Sequence, residues 1–162
     1  SGSSPYIQQA TTAGATAAPI VGVFVGCQYT PGGGLGIPQW STFWPGVTAV
    51  ADAVAYVIDS PDSTFLVATI STAVTSSNIG QVVNFTTGAP QTTGGGFSIA
   101  TIDQSTATSQ GGTAISAAPF KIVGIFGQGA YGGVGNGSDP TTPFNWAVVT
   151  FNNQAFRALV GN

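Results

Sequence analysis

From residue 19 to residue 160 the chain is a succession of short runs rich in β-branched and aromatic residues, each ended by glycine, proline or asparagine. The runs cover residues 19–27, 53–59, 64–70, 79–85, 97–102, 120–126, 144–151 and 155–160. The breaks include Pro31-Gly32-Gly33-Gly34, Ser60-Pro61-Asp62-Ser63, Gly94-Gly95-Gly96, the glycine-rich stretch 127–137 and Asn152-Asn153. Segments of this length suit strands, and many short strands with turn signals between them predict an all-β fold, a single β-sandwich or β-barrel. No repeat of roughly 20–50 residues runs through the chain, which argues against solenoids and propellers.

Within this pattern two hairpins are expected. Residues 53–59 and 64–70 flank Ser60-Pro61-Asp62-Ser63, and residues 144–151 and 155–160 flank Asn152-Asn153, where asparagine tolerates the positive φ of a tight turn. On the strand 64–70, Phe65, Val67 and Thr69 point one way and Leu66, Ala68 and Ile70 the other. Residues 47–56 also fit helical spacing through Val50, Ala51, Val54 and Ala55, but Pro61 and the β-rich context favour a strand. The stretch 127–137 reads as a long flexible loop with Tyr131 at its tip. The chain is expected to divide into an extended N-terminal arm, residues 1–18, and a β-domain, residues 19–162. A chain of 162 residues can bury a core without disulfides or metal. In the small, polar arm, Tyr6 and Ile7 are the apolar anchors, so it either docks onto a neighbour or stays disordered.

Charge is scarce. Only 4% of the residues are charged, against roughly 25% in a typical globular protein. Lys121, Arg157 and five aspartates carry all of it. Recurrent Val, Ile, Phe and Trp argue against a disordered chain, so the exterior is built from Ser, Thr, Asn, Gln, Gly and residual apolar atoms. A folded surface of that kind is either inert or covered by partners, since depletion of charge marks interface cores. Two basic residues and a net charge of −3 argue against nucleic-acid binding, which needs several Lys or Arg to displace counterions. No stretch reaches the roughly 18–20 apolar residues of a membrane helix, and the opening SGSSPYIQQATT has no basic and apolar regions of an export signal.

Chemistry finds little to work with. The chain has no histidine, and Asp59 and Asp62, the nearest pair of acids, flank a turn, where aspartate caps backbone N–H groups. Asp52, Asp103 and Asp139 complete the carboxylates, with no spacing that points to glycoside cleavage. Cys27, the single cysteine, sits in the apolar run VGVFVGCQY, which suits a buried small hydrophobe and leans toward folding inside a cell. Asn136-Gly137-Ser138-Asp139 reads as a turn, and Gly32-Gly33-Gly34-Leu35-Gly36 lacks the Lys and helix of a phosphate loop. No catalytic residue, metal ligand or cofactor is expected.

Aromatic residues are the more informative signal. Trp40, Phe43 and Trp44 lie between Pro38 and Pro45, which places them on a shaped loop or an edge strand. There they either lid the core or anchor an interface, because tryptophan and tyrosine are enriched at binding hot spots. The candidate interface residues are therefore Tyr6, Ile7, Trp40, Phe43, Trp44 and Tyr131.

Taken in order, GVFVGCQY, FWPG, DAVAYVIDSPDSTFLV, SNIGQVVNF, APFKIVGI and WAVVTFNNQAF resemble small virion structural proteins of tailed bacteriophages, of the head decoration or cement type encoded near the major capsid protein. The likeness spans residues 20–160, although acids are fewer and Gly and Thr more numerous here. It implies a β-rich domain, made in the host cytoplasm, that binds the outer surface of the capsid in many copies and bridges capsid subunits. The implied partners are the major capsid protein and copies of itself, as a dimer or trimer, with no direct nucleic-acid or membrane contact. Two other classes remain: a carbohydrate-binding or adhesive β-module, and a self-assembling sheath or fibre subunit. An enzyme ranks last.

Overall fold

The computed structural model describes residues 7, 9–10, 19–32, 36–46, 52–70, 72–87, 100–108, 118–126 and 143–155. The chain is all-β, as expected. Its strands are β1 (Val23–Tyr29), β2 (Gln39–Ser41), β3 (Val54–Ile58), β4 (Thr64–Ala68), β5 (Val82–Thr86), β6 (Thr101–Thr108), β7 (Phe120–Ile125) and β8 (Trp146–Phe151). They form two antiparallel sheets, one of three strands in the order β2-β1-β3 and one of five in the order β4-β8-β7-β5-β6. One 3-10 turn, Ser76–Asn78, leads into β5.

The five-stranded sheet curls so that its outer strands come together at one point. Thr69, just past β4, bridges in parallel to Ile102 of β6, and Ile70 N–H donates to Ile102 O at 3.0 Å. This closure wraps the core. Register places Phe65 opposite Val149, Val67 opposite Ala147, Ile122 opposite Val149 and Ile125 opposite Ala147, so these side chains share the inner face. Val74, Val83, Ile102, Ile122, Ala147 and Val149 are fully buried there, the valines and isoleucines each worth about 1.5–3 kcal/mol of apolar transfer. Phe65, Phe85, Phe120 and Phe151 pack ring against ring with centroids 5.1–6.4 Å apart, mostly edge to face.

A polar pin holds the closure. Asn145 precedes β8 and is 1% exposed. Its Oδ1 accepts from Val74 N–H at 3.0 Å and from the Thr69 hydroxyl at 3.1 Å, while its Nδ2 donates to Val74 O at 2.7 Å. Its backbone carbonyl accepts from Thr69 N–H at 2.9 Å. One amide thereby satisfies both backbone groups of a buried valine and ties the end of β4 to the start of β8.

No residue of β1, β2 or β3 belongs to the core cluster. The three-stranded sheet is joined to the rest through Gln154, 3% exposed, whose Nε2 donates to Val21 O and Asp59 O. Gln154 also bridges in parallel to Ile20, and Ala155 N–H donates to Ile20 O at 2.9 Å. At the same seam Gly22 lies against the backbone of Ile58, where an added Cβ would come within 2.2 Å of the Ile58 carbonyl oxygen.

Both expected hairpins are overturned. The Ser60–Ser63 turn forms, with Ser63 N–H donating to Ser60 O at 3.1 Å, but β3 pairs with β1 and β4 with β8, so the turn hands the chain from one sheet to the other. At the C-terminal side β8 already has β4 on one edge and β7 on the other, and the chain after Asn152-Asn153 runs to Ile20 instead. Of the strand expected at 97–102, residues 97–99 lie outside the described residues, and Thr101 and Ile102 open β6, which runs on to Thr108. Its polar half is a bulge against β5: Asp103 Oδ1 accepts from Ser105 N–H, Thr106 Oγ1 donates to Asp103 O, and Asn84 N–H donates to Thr106 Oγ1. The helix alternative gives way to a strand at Val54–Ile58. The arm apart from Ile7, Gln9 and Ala10, the loop 127–137 and the run beyond Ala155 lie outside the described residues.

Asn145→Ala removes the pin and strands both backbone groups of Val74. It is expected to cost about 2–4 kcal/mol, read as a lower urea midpoint at unchanged slope. A loss below about 0.5 kcal/mol contradicts the role assigned to this residue.

Candidate functional site: the apolar face of the three-stranded sheet

The three-stranded sheet has two unlike faces. Register pairs Gln28 with Trp40 on one side and with Val54 on the other, Gly26 with Tyr56, and Val23 with Ile58. Residues directly opposite share a face, so Val23, Gly26, Gln28, Trp40, Val54, Tyr56 and Ile58 lie together. Cys27, Ser41 and Ala55 lie on the reverse. A bulge between Phe24 and Gly26 keeps this arrangement continuous along β1.

The first face is apolar and open. Trp40 is 55% exposed, Val54 53%, Tyr56 44% and Ile58 39%. Its centre is Gly26. The Trp40 ring, carried on edge strand β2, reaches across β1 toward Tyr56 on the far strand, with ring centroids 5.0 Å apart and planes inclined at 57°. A Cβ at position 26 would meet Trp40 Cζ2 at 2.5 Å and Ser41 O at 2.7 Å, so glycine is what lets the indole lie low over the sheet. Tyr56 donates its hydroxyl to Gln28 Oε1 at 3.3 Å, leaving the polar edge of the pair beside an amide.

The reverse face is partly covered by the chain that follows β2. Ser41 Oγ donates to Phe43 O and accepts from Phe43 N–H at 3.2 Å, a local turn that sends the chain back under the sheet. Cys27, 1% exposed, donates its thiol to Phe43 O at 3.5 Å. Burial pushes the Cys27 thiol up from its ordinary pKa, which disfavours the reactive thiolate. Trp44 packs edge-on against Tyr29 with centroids 6.5 Å apart. Asp52 fastens the start of β3 to the end of β1 by accepting from the hydroxyl and the N–H of Thr30, and those two bonds hold its carboxyl below the usual carboxylate range.

Of the candidate interface residues, Trp40 lies on β2, at the edge of this sheet as the flanking prolines required, while Phe43 and Trp44 follow in the segment after β2, against Cys27 and Tyr29. None of the three is in the core cluster, so they do not lid the core. Ile7 is half exposed, and Tyr6 and Tyr131 lie outside the described residues. Val54, Tyr56, Ile58 and Gly26 escaped the sequence reading. The alternation Val54, Tyr56, Ile58 was the signal available, but assigning residues 53–59 to a hairpin with 64–70 aimed that face at the wrong neighbour. A second exposed apolar group, Leu66, Val123, Phe126 and Trp146, lies on β4, β7 and β8 and just beyond β7. No helix among the described residues is long and apolar enough to cross a membrane, and among them no three His, Cys, Asp or Glu gather as metal ligands would.

Gly26→Ala is expected to lift the Trp40 ring from the sheet and to cost about 1–3 kcal/mol. In a background carrying Trp44→Phe and Trp146→Phe, the emission of Trp40 moves to the red and its quenching by acrylamide rises. An unchanged spectrum contradicts the close fit of ring and glycine.

Comparison with known protein families, with curated proteins and with solved structures finds no match to this chain.

Proposed function

We propose that this chain is a non-enzymatic structural protein of a tailed-bacteriophage virion, a head decoration or cement protein that binds the outer capsid surface and bridges capsid subunits. The observation that carries the contact reading is the open face of Trp40, Val54, Tyr56 and Ile58, in a chain with two basic and five acidic residues. A contiguous apolar patch rimmed by uncharged polar groups is the kind of surface that protein partners cover. Its centre holds a tryptophan and a tyrosine in contact, the residue types that dominate binding energy at interfaces. The absence of strong charge suits lasting contact more than fast, steered encounter. The phage assignment itself rests on the order of segments from GVFVGCQY to WAVVTFNNQAF. On a shell the same modest contact is repeated at every symmetry position, and linked contacts act at high effective concentration.

A second reading, a carbohydrate-binding module, is favoured by one feature: Trp40 and Tyr56 form an exposed aromatic pair beside the Gln28 amide. A sugar ring could stack on the indole while the amide bonds a hydroxyl.

Co-sedimentation with shells of the major capsid protein tests the first reading. Wild-type protein is expected to saturate the shells, and the double variant Trp40→Ala, Tyr56→Ala to lose roughly 2–4 kcal/mol, a factor of about 30 or more in affinity, with the fold intact. Binding that is equal for both proteins returns the two rings to a structural role. A specific glycan ligand with no shell binding favours the second reading.

A further inference from the structure

We propose that β3 is a pairing edge, through which two copies of this chain join antiparallel about a twofold axis at Tyr56 to make one six-stranded sheet. The inference rests on the structural role proposed above and names the surface by which copies meet.

The first support is topological. A sheet edge presents unpaired N–H and C=O groups that a further strand can complete. In the five-stranded sheet the outer strands β4 and β6 are bridged to each other where Thr69 meets Ile102. The outer strands of the three-stranded sheet, β2 and β3, have no such bridge among the described residues. There β2 spans three residues next to Pro38, whereas β3 spans five, Val-Ala-Tyr-Val-Ile, and has β1 as its only strand neighbour among the described residues. Natural edges are blunted by lysine, proline or a bulge in the edge strand. β3 has no such residue, and the bulge of this sheet lies in β1.

The second support is register. Asp52 and Asp59 bracket β3 and carry its nearest charges. Pairing centred on Tyr56 sets Val54 against Ile58 and Ala55 against Val57 of the other copy, with Asp59 opposite Ala53 and Asp52 opposite Ser60. No like charges meet. A slip of one residue in one direction puts Asp52 opposite Asp59 twice, and parallel in-register pairing puts each aspartate beside its own copy; like charges directly opposite destabilise a sheet. A one-residue slip in either direction also joins the apolar face of one copy to the reverse face of the other. The Tyr56-centred register alone pairs the whole strand and keeps Trp40, Val54, Tyr56 and Ile58 of both copies on one continuous face, doubling the contact surface of the proposed function.

A five-residue strand pair is at the small end of interface sizes, so the dimer is weak and concentration-dependent. Sedimentation velocity over a concentration series up to the order of 1 mM, on wild type, Ala53→Lys and Ala53→Asp, tests it. Ala53 is exposed and lies outside β3, so both variants keep the fold. Wild type is expected to dimerise. Ala53→Lys, which faces Asp59 of the other copy in this register, tightens the dimer, and Ala53→Asp weakens it, each by roughly three- to ten-fold at low salt. A single species at every concentration, or two variants that shift association equally or not at all, overturns the proposal. Shell co-sedimentation of the same samples separates the two ideas: monomers that bind shells remove the pairing edge and keep the decoration reading, and dimers that ignore shells do the reverse.

Discussion

A five-stranded sheet has two edges, and here they are brought together where Ile70 N–H bonds Ile102 O and Thr69 bridges to Ile102. The geometry has to be held, because the residues that close it come from segments far apart in the chain. Asn145 holds it by bonding Thr69 and both backbone groups of Val74. With the sheet closed, Ile122, Val149, Phe151 and their neighbours are out of water. Both edges of β8 are then occupied, so the chain beyond Phe151 has to leave the sheet. It does so toward Ile20, and Gln154 becomes the link to the three-stranded sheet.

That link explains the asymmetry of the molecule. Closure buries the inner-face apolar side chains of β4 to β8, and the three-stranded sheet contributes nothing to that core. It is stabilised by its own ladder, by the Asp52–Thr30 tether and by the turn that carries Phe43 beneath Cys27. Its other face keeps Trp40, Val54, Tyr56 and Ile58 in water. An aromatic pair seated on a glycine is an organised surface. In a chain with 4% charged residues, little around it discourages contact with another protein.

How much of this was legible in the residues depends on the range of the interaction that decides it. Strand runs such as 120–126 and 64–70 declare themselves by local composition, and the edge position of Trp40 follows from Pro38 and Pro45. Partner choice between strands does not. The Ser60–Ser63 turn looks the same whether it closes a hairpin or carries the chain between sheets, because the outcome is set by β1 and β8, about 30 and 90 residues away. Asn152-Asn153 is ambiguous for the same reason. β6 hid because its core residue Ile102 is followed by Asp103 to Thr106, whose bulge is built from side-chain bonds to backbone. The candidate site shows the same division. Trp40, Phe43 and Trp44 announce themselves as a cluster, whereas Tyr56 joins Trp40 only through the register of three strands and the missing side chain at Gly26.

The division between a five-stranded sheet that holds the core and a three-stranded sheet that keeps an open face is measured most directly by native-state amide hydrogen exchange, which reports the opening free energy of each element. In the isolated protein the amides of β5, β7 and β8 are expected to exchange only through global unfolding, with β1, β2 and β3 opening at a lower free energy. Equal protection of both sheets at the global limit contradicts that division and would mean that the three-stranded sheet shares the core of the five-stranded one.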